Sequence, residues 1–401
     1  MGTTGTTAQA VSRLTADWAR IVDGGSGTVF TAAGVWPLLA FLAAGADEPV
    51  RQELEEVLGA HAEDAAGRAR DLLAVLRELP GTSAAIGLWT REHLVVEPQW
   101  LAGLGPGSHA RLTGDPAEDQ AAMDAWASDR TGGIIERMPI RATDILLLVL
   151  ASAVTVRTQW LRPFGPTLLR PGAGPWAGRL LTALTVDTAD LFDRLAAAET
   201  AAGPVTEVRL PGTGDVDVHL LAGEADAPLG AVLSAGLDLV AQRCRRIPVT
   251  ALPTGSEWPG LTVRAADSLQ PHNRLALTTV PFALTSEHDL LDRPPVFGLA
   301  TATEKGGFSG ISRSEPLAVS SARQSAAATF GAHGFEASAV TAVGMSRSAA
   351  GFSRPMHRIT LAEAVFDRPF AFLAVHRPSA LPLAAGWITE PGTPGPADWT
   401  T

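Results

Sequence analysis

One stretch near the C-terminus organises the chain, and it reads Gly331-Ala-His-Gly-Phe-Glu-Ala-Ser-Ala-Val-Thr-Ala-Val-Gly-Met-Ser-Arg-Ser-Ala-Ala-Gly351 before running on to Arg358. In an extended strand, one face would carry Phe335, Ala337, Ala339, Thr341, Val343 and Met345, and the other Glu336, Ser338, Val340, Ala342 and Gly344. A segment that must enter a sheet needs such small, alternating side chains, whereas a surface loop does not. An ordinary small-residue loop is the alternative, and these residues alone do not decide between the two.

The rest of the sequence indicates one large ordered domain of the α+β class. Of its 401 residues, 46% are hydrophobic and only 18% are charged, which is typical of a globular protein. No linker or internal repeat divides the sequence, so we predict a single domain over residues 1–401. Helical patterns dominate the first third and strand patterns the last two thirds. This order predicts N-terminal helices and large antiparallel or mixed sheets rather than alternating βαβ units.

Hydrophobic periodicity locates the elements. It predicts helices over residues 9–22, 36–44, 47–59, 69–79, 119–128 and 229–240. It predicts strands over residues 82–90, 145–156, 180–192, 206–210, 216–221, 275–284 (interrupted at Pro281), 359–366, 370–376 and 382–388. The run Ile145–Val156 is apolar almost throughout, which predicts a strand covered on both faces.

Charge and cysteine content limit the partners and the compartment. The net charge is −11, Lys305 is the only lysine, and the arginines are interleaved with acids, so nucleic acid and anionic membranes are poor partners. The excess of Arg over Lys and the abundance of Ala and Gly suggest a bacterial genome. The single cysteine, Cys244, rules out an internal disulfide framework. No signal peptide is visible, so we predict a cytoplasmic protein; a secreted protein without its signal peptide would look the same.

Five motifs occur in order along the chain, at plausible separations. They are T-x-G-x-I (Thr131–Ile135), W-x-x-P-F (Trp160–Phe164), F-S-G-I-S leading to P-L (Phe308–Leu317), F-x-x-P-F-x-F-L (Phe366–Leu373) and a closing G-x-x-x-x-P (Gly386–Pro391). Each motif alone is weak, but together they are specific. With these motifs, the chain resembles the serpin family over nearly its whole length.

The resemblance implies a metastable fold with an exposed reactive-centre loop at about residues 334–358. Its hinge would comprise Gly334, Phe335, Glu336, Ala337, Ser338, Ala339 and Val340. A serine protease, or less readily a cysteine protease, would cut the loop, which would then insert into the central sheet and trap the acyl-enzyme. The resemblance thus implies a monomeric inhibitor that is not an enzyme and needs no cofactor.

The hinge departs from the family pattern at Phe335, where a small or β-branched residue is usual. Gly334 fits the family's hinge glycine, and Glu336 would face solvent after insertion. The Phe335 side chain would face the core, and overpacking a core typically costs about 1–3 kcal/mol. We therefore expect Phe335 to slow insertion and to shift the protein from inhibitor toward substrate.

The loop is longer than is usual in the family, which leaves the scissile bond open. Counting forward from the hinge places the cut after Arg347 or Ser348, before Ser348 or Ala349. Counting backward from Phe366 places it between Arg358 and Ile359. We favour the forward count because the inserted length, roughly 14 extended residues or about 45 Å, decides where the protease ends up. A cut after Arg347 suits a trypsin-like protease, and a cut after Ser348 an elastase-like one.

The chain also departs from the family in the shutter region beneath the sheet gap. Where the family has Ser-Pro, Asn and His, this chain has Ala32-Ala33, Ser152 and Gln324. Ser152 and Gln324 could form a substitute network, or the gate could be looser.

Other ionisable residues are set aside. The nine histidines show no metal-ligand spacing, so we predict no metal site. Asp215 and Asp217 alternate on a strand, and we interpret them as a solvated face rather than an acid pair.

The sequence leads to two functional hypotheses. The first is an inhibitory serpin, and the alternative is a non-inhibitory serpin that acts as a binding module or as a protease substrate.

Overall fold

A computed structural model gives the structure of the protein and describes residues 3–22, 24–105, 108–133, 135–143, 147–336 and 357–391. Seven α-helices lie within these residues: α1 (Thr3–Ile21), α2 (Ala32–Gly45), α3 (Val50–Leu58), α4 (Ala62–Glu78), α5 (Pro98–Gly103), α6 (Pro116–Thr131) and α7 (Leu229–Val240). Six of them precede residue 132, so the prediction of a helix-rich N-terminal third is confirmed.

The same residues form twenty strands. They are β1 (Thr28–Phe30), β2 (Thr82–Arg91), β3 (His109–Leu112), β4 (Leu148–Val156), β5 (Thr158–Gln159), β6 (Gly165–Leu169), β7 (Leu181–Thr188), β8 (Leu195–Thr200), β9 (Gly203–Pro211), β10 (Val216–Ala222), β11 (Ile247–Pro248), β12 (Glu257–Trp258), β13 (Leu261–Ser268), β14 (Arg274–Thr279), β15 (Phe282–Asp289), β16 (Arg323–Phe330), β17 (Gly334–Glu336), β18 (His357–Val365), β19 (Phe370–His376) and β20 (Leu381–Ile388).

The strands build a seven-stranded sheet (β1-β20-β19-β10-β9-β8-β11), a six-stranded sheet (β12-β13-β18-β14-β7-β6), a four-stranded sheet (β15-β16-β17-β5) and a three-stranded sheet (β3-β2-β4). Most neighbours are antiparallel, but β3 runs parallel to β2, and β18 runs parallel to β14. The prediction of an α+β fold with large antiparallel or mixed sheets is therefore confirmed.

The last two sheets are the halves of one larger sheet, here called the split sheet. Strand β4 continues into β5 with only Arg157 between them, and β5 pairs with β17, which in turn pairs with β16. At this upper end the two halves are joined. Farther down, no strand among the described residues pairs with the edge of β4 that faces β16, or with the edge of β16 that faces β4 before Thr329. We call the space between these two edges the gap.

Both halves of the split sheet pack against the hydrophobic core. The seven-stranded sheet lies at its centre, with Phe370, Phe372 and Trp387 fully buried. Strand β4 is covered on both faces, as predicted, because Val149 and Ala151 pack in a separate small cluster with α6 while Leu148, Leu150 and Val154 pack on the main core. No helix of the described residues has the length and apolar character needed to cross a membrane.

One predicted strand needs correction, and two strands were not predicted. The strand predicted over residues 180–192 ends at Thr188 and is followed by a short 3-10 helix at Phe192–Arg194. The sequence also gave no strand signal for Leu195–Thr200, whose alanines favour helix, or for Leu261–Ser268. Both segments become strands because antiparallel neighbours, β9 for the first and β18 for the second, pair with them along their length.

Candidate functional site

The start of the predicted hinge is itself a strand in the split sheet. Strand β17 pairs antiparallel with β16 on one side, where Phe335 lies opposite Phe330. On its other side it pairs with β5, where Gly334 lies opposite Gln159 and Phe335 opposite Thr158. The predicted hinge segment therefore begins inside the sheet, at the upper end of the gap.

Position 334 requires a glycine because β5 lies too close for a side chain. A Cβ atom at residue 334 would lie 2.3 Å from the backbone oxygen of Thr158, which no ordinary side chain tolerates. The backbone of β17 can therefore approach β5 only because residue 334 has no side chain. This supports the interpretation of Gly334 as a hinge glycine, although the reason is close backbone approach rather than an unusual φ.

Phe335 is seated in the core, contrary to the expectation that its ring would need new room. Its side chain is only 2% exposed, and its ring centroid lies 5.9 Å from that of Phe372 in the seven-stranded sheet. Phe372 in turn contacts Phe282, which stacks on Phe330. The ring of Phe335 is thus already part of an aromatic cluster, and its burial adds to the stability of β17.

Two aromatic residues of the W-x-x-P-F motif hold the turn between β16 and β17. The Trp160 indole Nε1 donates to the Gly331 oxygen at 2.9 Å, and the Trp160 backbone N–H donates to the His333 oxygen at 2.9 Å. The backbone N–H of Phe164 donates to the Ala332 oxygen at 2.8 Å. These bonds occupy three successive carbonyl groups of the turn and fix the direction in which the hinge leaves β16.

At the lower end of the gap, Gln324 on β16 binds the start of helix α2. Its amide oxygen accepts from the Thr31 backbone N–H at 2.9 Å, and its amide nitrogen donates to the Thr31 oxygen at 2.8 Å. Gln324 is buried, so these two bonds satisfy groups that water does not reach. The Gln324 amide thus bonds both backbone polar groups of Thr31, as a residue of a neighbouring strand would.

Ser152 on β4 binds the same segment from the other side of the gap. Its hydroxyl donates to the Gly34 oxygen at 2.6 Å. None of the three bonds joins Ser152 to Gln324 directly; all of them end on the segment Thr31–Gly34. The two predicted shutter residues therefore form one network only through that segment, which ties both edges of the gap to the same point.

Strand β15 adds a third attachment beside Gln324. His288 lies opposite Gln324 in the strand register, and its Nε2 is 3.0 Å from the Val29 oxygen and 3.3 Å from the Thr28 hydroxyl. The Ser286 hydroxyl accepts from the Val29 backbone N–H at 3.1 Å. Burial lowers the pKa of His288 below its ordinary value, although the bond to Val29 acts in the opposite direction.

The remaining hinge and cleavage residues divide into two groups. Ala337, Ser338, Ala339, Val340, Arg347, Ser348 and Ala349 lie outside the described residues. The alternative pair, Arg358 and Ile359, lies within β18, between β13 and β14 in the six-stranded sheet. Ile359 is buried opposite Ala266, and Arg358 is opposite Asp267 with their charged groups 3.8 Å apart.

The interpretation of Asp215 and Asp217 as a solvated face is wrong for Asp217. This residue is 1% exposed, and its carboxylate accepts from Nε and Nη2 of Arg377 at 3.0 and 2.8 Å. Asp215 accepts from Nη1 of the same arginine at 2.9 Å.

Within the described residues, no group of three or more His, Cys, Asp or Glu side chains is placed to hold a metal ion.

Sequence reasoning missed the partners of the shutter residues. It did not single out Thr31, Gly34, Ser286 or His288. A Thr before an Ala-Ala-Gly run marks a helix start, but the strands that such a start will contact lie more than 100 residues away in the sequence.

The model of the family described as "Serpin (serine protease inhibitor)" matches residues 13–173 and 266–391. Among curated proteins, the chain is 25% identical over 368 residues to alpha-2-antiplasmin of Bos taurus, and 30% identical over 138 residues to putative serpin-Z12 of Oryza sativa subsp. japonica. These matches cover 88% and 32% of the chain, but only 65% and 33% of the two relatives, so the chain spans less than two thirds of either.

Solved structures share the fold at low sequence identity. Thyroxine-binding globulin in complex with thyroxine superposes with a TM-score of 0.71 at 14% identity, and native protease nexin-1 with heparin superposes with 0.71 at 17%. The structure titled cleaved serpin 42Da gives 0.72 at 16%. The alignments cover 97%, 97% and 98% of this chain and 99%, 100% and 100% of the respective structures.

Proposed function

This chain belongs to the serpin family, and on that premise we propose that it is a suicide-substrate inhibitor of serine proteases. The observation that carries the proposal is the position of β17. The hinge lies between β16 and β5, and the gap continues below it between β16 and β4. A strand that followed the hinge downward would pair with both free edges.

Insertion has a clear physical driving force in this geometry. The facing edges of β4 and β16 have no strand partner among the described residues below the hinge. An inserted loop would supply backbone hydrogen bonds to both edges and would bury small side chains between them. The intact protein would then be held by a kinetic barrier rather than by its lowest free energy.

The reaction itself would be performed by the protease. Its serine oxygen attacks the carbonyl carbon of the scissile bond, the peptide bond breaks, and the new amino terminus leaves with a proton from the protease histidine. The loop, still esterified to the protease, inserts and carries the enzyme toward the lower end of the gap. Distorting the oxyanion hole slows hydrolysis of the ester, since each donor is typically worth about 100- to 1000-fold in rate.

We propose that the cut follows Arg347 or Ser348 rather than Arg358. A protease needs an accessible extended segment on both sides of the bond it cleaves. Residues Arg358 and Ile359 are instead paired in β18, and the Ile359 side chain is buried. That position argues against the backward count and leaves Arg347-Ser348 for a trypsin-like protease, or Ser348-Ala349 for an elastase-like protease.

Incubation with trypsin and with elastase tests the proposal. We expect a covalent complex that survives SDS, and mass spectrometry of the released C-terminal fragment should begin at Ser348 or Ala349. An Arg347→Ala variant should lose the complex with trypsin if the cut follows Arg347, with Arg354→Ala as the matched control within the same loop. Clean cleavage without a complex, and with no gain in thermal stability, would contradict inhibition.

A non-inhibitory serpin is the second candidate, and the lower end of the gap favours it. Gln324 and Ser152 tie both edges of the gap to Thr31–Gly34 through short hydrogen bonds. If these bonds hold the gap closed for longer than the acyl-enzyme survives, the protein would behave as a substrate. In that case the same incubation would yield only cleaved protein.

Four further proposals concern the domain organisation, origin, oligomeric state and location of the protein. We propose that the chain forms a single domain, is of bacterial origin and acts as a monomer in the cytoplasm, or outside the cell if a signal peptide has been removed. Arginine-rich, lysine-poor composition supports the bacterial origin, and the single cysteine suits a reducing compartment. Cell fractionation and size-exclusion chromatography with light scattering would test the location and the oligomeric state.

A further inference from the structure

Strand β5 is flanked by two glycines that approach the same residue, Thr158. On the side of the gap, a Cβ at Gly334 would lie 2.3 Å from the Thr158 oxygen. On the opposite side, a Cβ at Gly212 would lie 2.1 Å from the Thr158 hydroxyl. Thr158 itself is buried. The hinge and residue 212 therefore both approach β5 so closely that neither position leaves room for a side chain.

Gly212 belongs to the tip of the β9–β10 hairpin, which here means residues 212–215. This tip forms hydrogen bonds with β5 along its outer edge. The Thr158 hydroxyl donates to the Thr213 oxygen at 2.7 Å, and the Thr213 backbone N–H donates to the Gln159 oxygen at 2.9 Å. The Gln159 backbone N–H donates to the Thr213 hydroxyl at 3.2 Å. The tip thus takes the position of a neighbouring strand beside β5. On the same side of the sheet, β2 pairs with β4 only as far as Val156.

Arg377 fixes the tip from the end of β19. Its guanidinium donates to Asp215, to Asp217 and to the Gly212 oxygen, the last at 3.2 Å. Its backbone N–H donates to the Asp215 oxygen at 2.8 Å. Asp215 adopts a left-handed conformation with a φ of 59°, which an Asp tolerates better than most residues. These contacts explain why Asp217 is buried with a partner rather than solvated.

We propose that the tip of the β9–β10 hairpin is the positioning element of the hinge. It holds β5 from its outer edge, and β5 in turn holds β17 in the upper end of the gap before any protease has cut the loop. Thr158 and Thr213 are the positioning residues that join the tip to the split sheet. The effect on inhibition rests on the proposed function, whereas the seating of the hinge can be measured without a protease.

Isosteric substitutions separate this role from general stability. Thr158→Val removes the donor to Thr213, and Thr213→Val removes the acceptor for the Gln159 N–H, each with little change in volume. Thr200→Val is the matched control, because the Thr200 hydroxyl donates to the Gly203 oxygen at 2.7 Å in the β8–β9 turn of the same seven-stranded sheet. Hydrogen exchange of the intact protein, followed by mass spectrometry, then reports on peptides that cover residues 331–336.

We expect exchange at residues 334–336 to accelerate roughly threefold to tenfold in Thr158→Val and Thr213→Val, which is the effect of losing one typical hydrogen bond. Thr200→Val should leave that exchange unchanged. Unchanged exchange at the hinge in the first two variants, or equal acceleration in Thr200→Val, would overturn the proposal. If wild-type protein forms no covalent complex with trypsin or elastase, the proposed function fails, but these exchange rates still decide whether the tip positions the hinge.

Discussion

The two ends of the gap are held by different means. At the upper end, Gly334–Glu336 forms a backbone strand with a partner on each side, and Phe335 is buried against Phe372. At the lower end, the edges are held by side chains, with Gln324 and Ser152 bound to Thr31–Gly34. The upper end already has the paired geometry that insertion would extend. If the loop inserts as proposed, we therefore expect the resistance to insertion to come mainly from the lower end.

The comparison of the two ends indicates that Phe335 anchors β17 in the sheet. A large side chain at the hinge appeared to be an obstacle, because a closing sheet would have to make room for its ring. In the structure, the ring is already accommodated while β17 spans only three residues. Phe335 thus stabilises the upper end, and the loop residues that would follow it into the gap begin with the small Ala337, Ser338 and Ala339.

The largest expected effect comes from removing the ring at the upper end. Phe335→Ala should destabilise the intact protein by about 3–5 kcal/mol, the usual cost of deleting a buried Phe side chain, and should release β17 from the sheet. Thermal unfolding followed by circular dichroism would measure it. Phe335→Leu, which keeps most of the apolar volume, should cost clearly less. A loss below about 1 kcal/mol in Phe335→Ala would mean that the ring is not an anchor.

At the lower end, Gln324→Leu should cost roughly 2–3 kcal/mol, because the buried Thr31 N–H loses its acceptor and the Thr31 oxygen loses one of its donors. It should also speed the heat-induced opening of β16, observed as faster hydrogen exchange over residues 323–328. Gln270→Leu, at an exposed glutamine, is the matched control and should change neither quantity. Equal behaviour of the two variants would show that the Thr31 contacts do not hold the gap.

A smaller effect is expected at the hinge glycine. Gly334→Ala places a methyl group against the Thr158 oxygen, so β17 or β5 must shift at a cost of about 1–3 kcal/mol. Gly172→Ala is the matched control, since nothing lies within 4 Å of a Cβ at that position. Unfolding midpoints of both variants against wild type would test this. An unchanged midpoint in Gly334→Ala would contradict the close approach between β17 and β5.

The smallest effect concerns pH at the lower end. Burial lowers the folded-state pKa of His288, so the unfolded chain binds its proton more readily. The stability that neutral His288 contributes is therefore complete above its ordinary pKa of about 6.5 and decreases as the pH falls below that value. His109 and His376 also have lowered pKa values and contribute with the same sign. His288→Gln should reduce the loss of thermal stability between pH 7.5 and pH 5.5; an unchanged loss would exclude His288 as a contributor.

Much of the fold could be predicted from the sequence, because the motifs that identify it are local. Phe366–Leu373 and Gly386–Pro391 became β19, the end of β20 and the residues that follow it, and Trp160–Phe164 holds the turn before the hinge. Gly334 was also singled out, and the structure places it where β17 approaches β5 closely. These features depend on residue types at fixed spacing, which a single sequence records directly.

The contacts that hold the site could not be predicted, because they join segments distant in sequence. Thr158 meets Gly212 on one side and Gly334 on the other, and neither approach leaves a pattern near residue 158. Asp217 was interpreted as solvated because its alternation fits an exposed strand face, yet Arg377, 160 residues away, covers it. The contact that receives the Phe335 ring was not predicted for the same reason, since Phe372 belongs to another sheet; the effect of Phe335 on insertion stays a prediction.

Hydrogen exchange before and after cleavage of the loop tests the central claim most directly. We predict that peptides over residues 334–336 are protected in the intact protein and stay protected after cleavage. Peptides over residues 148–154 and 323–328, at the two edges of the gap, should gain protection only after cleavage, when the loop pairs with both. Rapid exchange at residues 334–336 in the intact protein, or no gain in protection at the gap edges after cleavage, would contradict a hinge that is seated in advance and a gap that receives the loop.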